Sequence, residues 1–353
     1  MYGIFLIQSV LSVFYFFYQV PYNRAFSNNQ NSIDFKLVNN DSLFIQDSVL
    51  NITIKSDFNE ILNDRAEKSS YHDALLELDN TVYTVELKTR GNYRRKKGNC
   101  SLPPLWLKFD GLQINNTVFS GYKKLKLVIP CFNTNSSEQD ILKEYLAYKI
   151  YNLLTDYSFR VCLLKVTFVD LDNKHDPISR YAFFIEPYKA LCRRVEGKEL
   201  KIRNIHPNYT DSELITLMSV YQYMIGNTDW SVKALHNIKL ISRSSPQKPV
   251  AVPYDFDNAG LVNAPYALPA EYLGVNSVTE RVYNGYYRPI DDLQRILDVF
   301  IRKKAVIYNE VKNIQGLKKH FIDETIKYFD QFYKTLDHTK RIQYELIDKS
   351  RKD

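Results

Sequence analysis

Nowhere in the chain do two cysteines stand as CxxC, which argues against a zinc ribbon. The four cysteines present, Cys100, Cys131, Cys162 and Cys192, are widely spaced. Cys100 and Cys131 flank two strand-like segments and are candidates for a disulfide if the chain is exported; four buried thiols are the alternative. A concentrated basic face is also missing. The formal net charge is +7, but the charges are scattered apart from Arg94-Arg95-Lys96-Lys97, so a nucleic-acid partner is not expected. There is no internal repeat and no low-complexity block. Only one apolar run is long enough to span a bilayer, and everything after it is expected to be soluble.

That run is residues 3–20, GIFLIQSVLSVFYFFYQV, which contain no charged side chain. It reads as a signal-peptide core or a single membrane anchor at 1–22. No Lys or Arg precedes it and no small-x-small cleavage site follows, so a buried strand pair or helix is the competing reading. An Asn-, Ser- and Asp-rich linker follows, bounded here at 23–48. The rest has the makeup of a folded protein, with 45% hydrophobic and 25% charged residues over 353 positions. With 27 Tyr and 20 Phe, aromatic rings are expected to dominate the core.

Leu50 to Ile54 alternates apolar and polar residues, the pattern of a half-buried strand. A short helix is expected from Phe58 to Ala66. A strand pair follows at Ala74 to Leu78 and Val82 to Lys88, turning at Asp79-Asn80. Further strands are expected at 103–109, 124–129, 160–169 and 180–185, with an amphipathic helix at 140–154. After Glu186 the pattern turns helical, with segments at 211–225, 291–311 and 318–336. Two short strands, 238–242 and 250–253, interrupt it.

Chemistry concentrates in Gly226-Asn227-Thr228-Asp229-Trp230…His236-Asn237 and Pro253-Tyr254-Asp255-Phe256-Asp257. Acid, asparagine, then acid on a strand-like run is the order in which phosphoryl-transfer enzymes place a base and metal ligands. Asp229 is the candidate base. Asn237, Asp255 and Asp257 are candidate metal ligands, and His236 is read as structural. Arg90-Gly91-Asn92 between two strands is a candidate phosphate cover, and Gly91 equally suits a plain hairpin turn. Lys108, alternating with Leu107 and Phe109, is a candidate phosphate-contacting lysine, with Glu144 on the next helix as its ion-pair partner. Taken singly, each residue is explained as well by a turn or a surface charge.

The same segments resemble the CotH family of spore-coat-type protein kinases, especially exported bacterial members. The matching stretches are RGN at 90–92, PPLWLKF at 103–109, KLKLVIPC at 124–131 and LKEYLAYKIYNLLTDYSFRVCLLKVTF at 142–168. They continue with YAFFIEP at 181–187, YQYMIGNTDWSV at 221–232, HNIKLI at 236–241 and VPYDFDNAGLV at 252–262. The resemblance spans about residues 50–270. It implies an α+β, two-lobed atypical protein-kinase-like fold, with a sheet-rich N-lobe at 49–186 and a mainly helical C-lobe at 187–353. It also implies that Ile185-Glu186-Pro187 joins the lobes and faces adenine. Asp229 would match the catalytic aspartate, Asp255 the metal-binding aspartate and Lys108 the phosphate-contacting lysine. The chain departs from the ordinary kinase pattern in having one glycine in the phosphate loop and DFD where DFG would stand.

The expected activity is transfer of the ATP γ-phosphate, with Mg2+ or Mn2+, to a hydroxyl of an exported protein, with exposed serine as the acceptor. The protein is expected to be exported or membrane-anchored and extracytoplasmic. The alternative is a non-catalytic envelope or surface scaffold with a degenerate kinase-like fold. A metal hydrolase using Asp255 and Asp257 is a weaker reading, since no His-rich or multi-carboxylate cluster accompanies them.

Overall fold

The computed structural model describes residues 42–46, 48–111, 114–172, 174–269 and 273–352. The leader expected at 1–22 and most of the linker, residues 23–41 and 47, lie outside them. Leu43 and Phe44, near the end of the linker stretch, sit in a short 3-10 turn and are buried in the first core.

Seven strands build the first half: β1 (Leu50–Ser56), β2 (His72–Leu78), β3 (Thr81–Thr89), β4 (Leu105–Phe109), β5 (Lys124–Val128), β6 (Val161–Asp170) and β7 (Ile178–Ile185). Alternation decides which side chains point inward. In β1 Ile52 and Ile54 are buried, in β4 Leu105, Leu107 and Phe109, and in β5 Leu125 and Leu127. The β2–β3 hairpin turns at Asp79 and Asn80, both at positive φ (48° and 63°), as a tight two-residue hairpin loop requires.

The strands close into a barrel in the order β1-β2-β3-β4-β5-β7-β6. Closure comes from a parallel pairing of β1 with β6, running from Leu50 beside Leu164 to Ser56 beside Asp170. This overturns the two-lobed kinase-like fold expected from the sequence. A closed seven-stranded barrel stands where that fold requires its sheet-rich lobe. Closure satisfies both edges of the sheet, so no edge strand is left to be covered.

Helix α1 (Phe58–Asn63) buries Ile61 in the barrel core, and α2 (Asn135–Leu154) joins β5 to β6. The Thr134 hydroxyl accepts the Ser137 amide at 3.2 Å and starts α2. Strands β6 and β7 are covered on both faces. Cys162, Leu164, Ala182 and Phe184 face the barrel interior, while Leu163, Phe183 and Ile185 join a second core with α2. Tyr145 and Tyr148 of α2 pack on Phe183, with ring centroids 5.9 and 5.8 Å apart.

The second core extends through α3 (Tyr188–Arg194), α4 (Ser212–Ile225), α5 (Ile290–Asn313), α6 (Lys319–Leu336) and α7 (Thr339–Ile342). A three-stranded antiparallel sheet lies among them, in the order β10 (Val250–Pro253), β9 (Ile238–Ser242), β8 (Lys198–Leu200). A disulfide joins Cys100 to Cys131, with Cα atoms 4.8 Å apart. Cys162 and Cys192 are buried thiols. Among the described residues no helix is long and apolar enough to cross a membrane.

Candidate phosphoryl-transfer site

The Asp229 loop is built by the end of α4. Asp211 starts the helix by accepting the Glu213 and Leu214 amides at 3.1 and 3.0 Å. Gly226 ends it in the left-handed region (φ 65°), where a Cβ would lie 2.1 Å from the Tyr328 hydroxyl oxygen. Asn227 then donates its amide to the Gln222 carbonyl, and its side-chain oxygen accepts the Asp229 amide at 3.0 Å. The chain loops back through a two-way bridge between Ser231 and His236. That return delivers His236 and Asn237 to Asp229.

Among the described residues, three side chains reach the Asp229 carboxylate. His236 Nε2 lies 2.6 Å from Oδ1. Asn237 and Asn258 each donate an Nδ2 to Oδ2 at 3.0 Å. Because the Asn237 side-chain nitrogen is turned to Asp229, its side-chain oxygen Oδ1 is left as the group available to a cation. Asp229 keeps 31% of its side chain exposed, so it is held firmly but remains reachable.

Asp255 is set by β9 and β10. The Tyr254 amide donates to the Asn237 carbonyl at 3.0 Å, which ties the two strand ends together. Asp255 then takes a left-handed conformation (φ 66°), and its amide donates to the Tyr148 hydroxyl of α2 at 2.8 Å. Phe256 is fully buried between Tyr148 and Tyr221, at 4.7 and 5.7 Å. Locked by that ring, the segment presents Asp255 and Asp257 on either side of Phe256. Tyr266 donates its hydroxyl to Asp257 at 3.1 Å. Burial, then the charge of Asp255, pushes the Asp257 carboxyl up to about 6, with Arg94 opposing.

Glu144 lies one helical turn before Tyr148 on α2 and is almost fully buried. Burial, then Asp257 and Asp255, holds its carboxyl well above the usual range, against the pull of Arg94 and Arg90. Its expected partner, Lys108, is elsewhere. Lys108 pairs with Glu86 of β3 on the outer face of the barrel and lies 5.2 Å over the Tyr71 ring. The expected Lys108–Glu144 ion pair does not form; the cations whose charges act on Glu144 are Arg94 and Arg90.

Lys126, two residues into β5, is the strand lysine on which the charge of Asp255 acts. Desolvation and the neighbouring Arg90 pull its amine down to about 8, while Asp255 works the other way. It lies 5.1 Å over the Tyr254 ring and 5.8 Å over the Trp106 ring. Arg90 and Lys124 flank the same Trp106 ring at 5.6 and 4.6 Å. Of the expected phosphate cover, Arg90 therefore joins the site, while Gly91 and Asn92 are exposed.

A cavity of about 730 Å³ adjoins this cluster. Trp106, Lys126, Lys239, Tyr254, Ile185 and Pro187 are among the residues that line it. Glu186 also borders it, but its carboxylate is taken by Arg194 at 2.9 and 2.8 Å and by the Arg160 amide at 3.0 Å. Glu186 thus braces the segment and has no carboxylate oxygen aimed at a ligand. Among the described residues no three His, Cys, Asp or Glu side chains already form a metal cage.

Sequence reading missed Lys126, Arg94, Asn258 and Tyr148. Lys126 had a signal: Lys124-Leu125-Lys126-Leu127 alternates just as Trp106-Leu107-Lys108-Phe109 does, and either strand offers a lysine. Asn258 follows Asp255 by three positions and had no comparable signal. No protein-family model matches the chain, and a search of curated proteins found no match.

Proposed function

We propose that this cleft binds a nucleoside triphosphate with a divalent cation and transfers its γ-phosphoryl group to a hydroxyl, with serine of an exported protein as the acceptor. The observation that carries the reading is that Asp229 and Asn237 of one segment are tied to the Tyr254-Asp255 segment, while Lys126, on which both Asp255 and Arg90 act, and Tyr254 line a neighbouring cavity. The segments resembling the CotH family point the same way. The reading does not depend on a kinase fold, since sites of one chemistry recur on unrelated frameworks.

Hard oxygen donors suit Mg2+ or Mn2+. Asp255, Asp257 and the side-chain oxygen (Oδ1) of Asn237 would hold the ion, and the charges of both carboxylates act on buried Glu144. Burial and then the charge of Asp255 raise Asp257, and the second of these is a repulsion that a cation would relieve. The donor set also fits magnesium, which is commonly held by one or two carboxylates plus substrate phosphates and needs no all-protein cage. When bound, the ion neutralises charge on the phosphate oxygens.

Lys126 and Arg90 would bind the phosphate chain, and Trp106 and Tyr254 keep their cations in place. Asp229 would orient the acceptor hydroxyl and take its proton as the new O–P bond forms. The bond from the γ-phosphorus to the bridging oxygen breaks, and the nucleoside diphosphate leaves with the electron pair. His236, Asn237 and Asn258 hold that carboxylate in place throughout. The Cys100–Cys131 disulfide supports an extracytoplasmic location.

The test is labelling. Full-length protein with γ-labelled ATP and Mg2+ or Mn2+ is expected to label itself or casein, and Asp229→Ala to label neither. A scaffold reading is favoured if the wild type neither binds Mg-ATP nor transfers label.

A further inference from the structure

The cavity beside the site carries more positive charge than its own acids answer. Lys124, Lys126, Lys189, Arg193, Lys201 and Lys239 line it, and the acids among its lining residues are Glu186 and Glu199. Both acids already have partners. Glu186 is held by Arg194 at 2.9 and 2.8 Å, and Glu199 has Lys201 at 3.7 Å. Among the described residues, Lys189, Arg193 and Lys239 have no ion-pair partner.

Aromatic rings hold the inner cations instead. The Lys239 amine lies 5.3 Å over the Tyr254 ring and 5.9 Å over the Tyr188 ring. Lys126 lies over Tyr254 as well, at 5.1 Å, and 5.8 Å over Trp106. Rings and cations therefore alternate from Trp106 through Lys126, Tyr254 and Lys239 to Tyr188. A ring steadies a cation without cancelling its charge. Burial and then the charge of Arg90 lower the Lys126 amine, and Lys239 and Lys124 add to that repulsion. An anion entering from solution relieves it.

The row continues past Tyr188. Lys189 follows it on α3, and Arg193 lies four residues further on the same helix face, both exposed. Lys201, also exposed, follows Leu200 of β8, which pairs with Leu240, the neighbour of Lys239. These outer cations meet a partner that reaches beyond the cavity, as a protein segment does. On a helix, residues four apart stand about 6 Å from one another at Cβ. Alternate side chains of an extended chain are spaced similarly, at roughly 7 Å. Carboxylates repeated along a peptide match that spacing.

We propose that Lys239, Lys201, Lys189 and Arg193 form a docking track for an acidic protein segment, so that the hydroxyl acceptor is one flanked by aspartate or glutamate. The statement about the acceptor rests on the function proposed above; the binding of an acidic chain does not.

Two measurements on the full chain separate these claims. Fluorescence anisotropy without nucleotide reads the track, with labelled peptides of one length that carry alanine at the acceptor position and either glutamate or glutamine around it. The glutamate peptide is expected to bind about 10-fold tighter, the sum of several weak exposed pairs, and to lose that advantage at high salt. Lys189→Glu/Arg193→Glu is expected to abolish the advantage, and Arg193→Lys to keep most of it. Equal affinity for the two peptides, or an advantage that survives the double reversal, overturns the track. Saturating Mg-ATP is expected to leave the glutamate peptide bound; displacement gives these cations to the nucleotide and overturns the track as well. Transfer of label from ATP to the serine forms of the two peptides reads the acceptor. The kcat/KM ratio is expected to follow the ratio of affinities, and equal labelling overturns the acceptor preference. Should the wild type transfer no label, the proposed function fails, and anisotropy still decides the track.

Discussion

At the scale of single residues, the proposed site would divide its work among groups that can be separated by substitution. Asp229→Ala removes the group that would take the proton but no phosphate or cation ligand. It is expected to lower transfer by at least about 100-fold, within the usual range for a general base, with ATP affinity kept. Lys126 gives a prediction with opposite effects on stability and binding. Its folded pKa, near 8, lies below the ordinary lysine value of 10.5. The native state therefore binds fewer protons than the unfolded chain between those values, and stability rises with pH across that window. Below pH 8 the buried charge is a net cost. Lys126→Met is expected to stabilise the nucleotide-free protein at pH 7 by roughly 1–2 kcal/mol, allowing for partial exposure. The same change should weaken ATP binding at least about tenfold, whereas Lys108→Met should leave affinity unchanged. Urea unfolding and calorimetry at pH 7 and pH 9.5 read both. Lys108 also shows why the sequence misled. Its strand alternates as β5 does, and the pairing of Lys108 with Lys124 and of Trp106 with Lys126 puts both lysines on the outer face of the barrel; alternation does not say which of them lies near Asp255.

At the scale of elements, α2 links the barrel to the site. Tyr145 and Tyr148 pack on Phe183 of β7, Tyr148 accepts the Asp255 amide, and Glu144 faces the acids. Tyr148→Phe keeps the ring packing but strands the Asp255 amide. The expected cost is about 1–3 kcal/mol by urea unfolding, together with a raised Mg2+ requirement for ATP binding. A change in stability with an unaltered Mg2+ requirement would separate Asp255 geometry from cation binding. The elements themselves were largely legible. The hairpin at Asp79-Asn80, the strands after it and the long helices follow from alternation, turn residues and helical spacing. The register that joins Asn237 to Tyr254 was not, because it depends on how β9 and β10 pair after a turn of free length.

At the scale of the whole molecule, the sequence showed strands without showing closure. An open sheet and a barrel share the same alternation, and only the pairing of β1 with β6, more than a hundred residues apart, separates them. The kinase-like fold implied by resemblance failed at that point, while the acid–asparagine–acid order still met in one place. The disulfide closes a separation of 31 residues, so Cys100→Ser/Cys131→Ser is expected to lose about 3–4 kcal/mol of stability by urea unfolding. The central claim is that Asp255 and Lys126 face a single triphosphate with its cation between them. Calorimetric titration of the full chain with ATP, with and without Mg2+, beside Asp255→Ala, tests it most directly. The account predicts saturable binding that requires Mg2+ and is lost in Asp255→Ala. Binding that is absent in the wild type, or indifferent to both Mg2+ and the substitution, would contradict it.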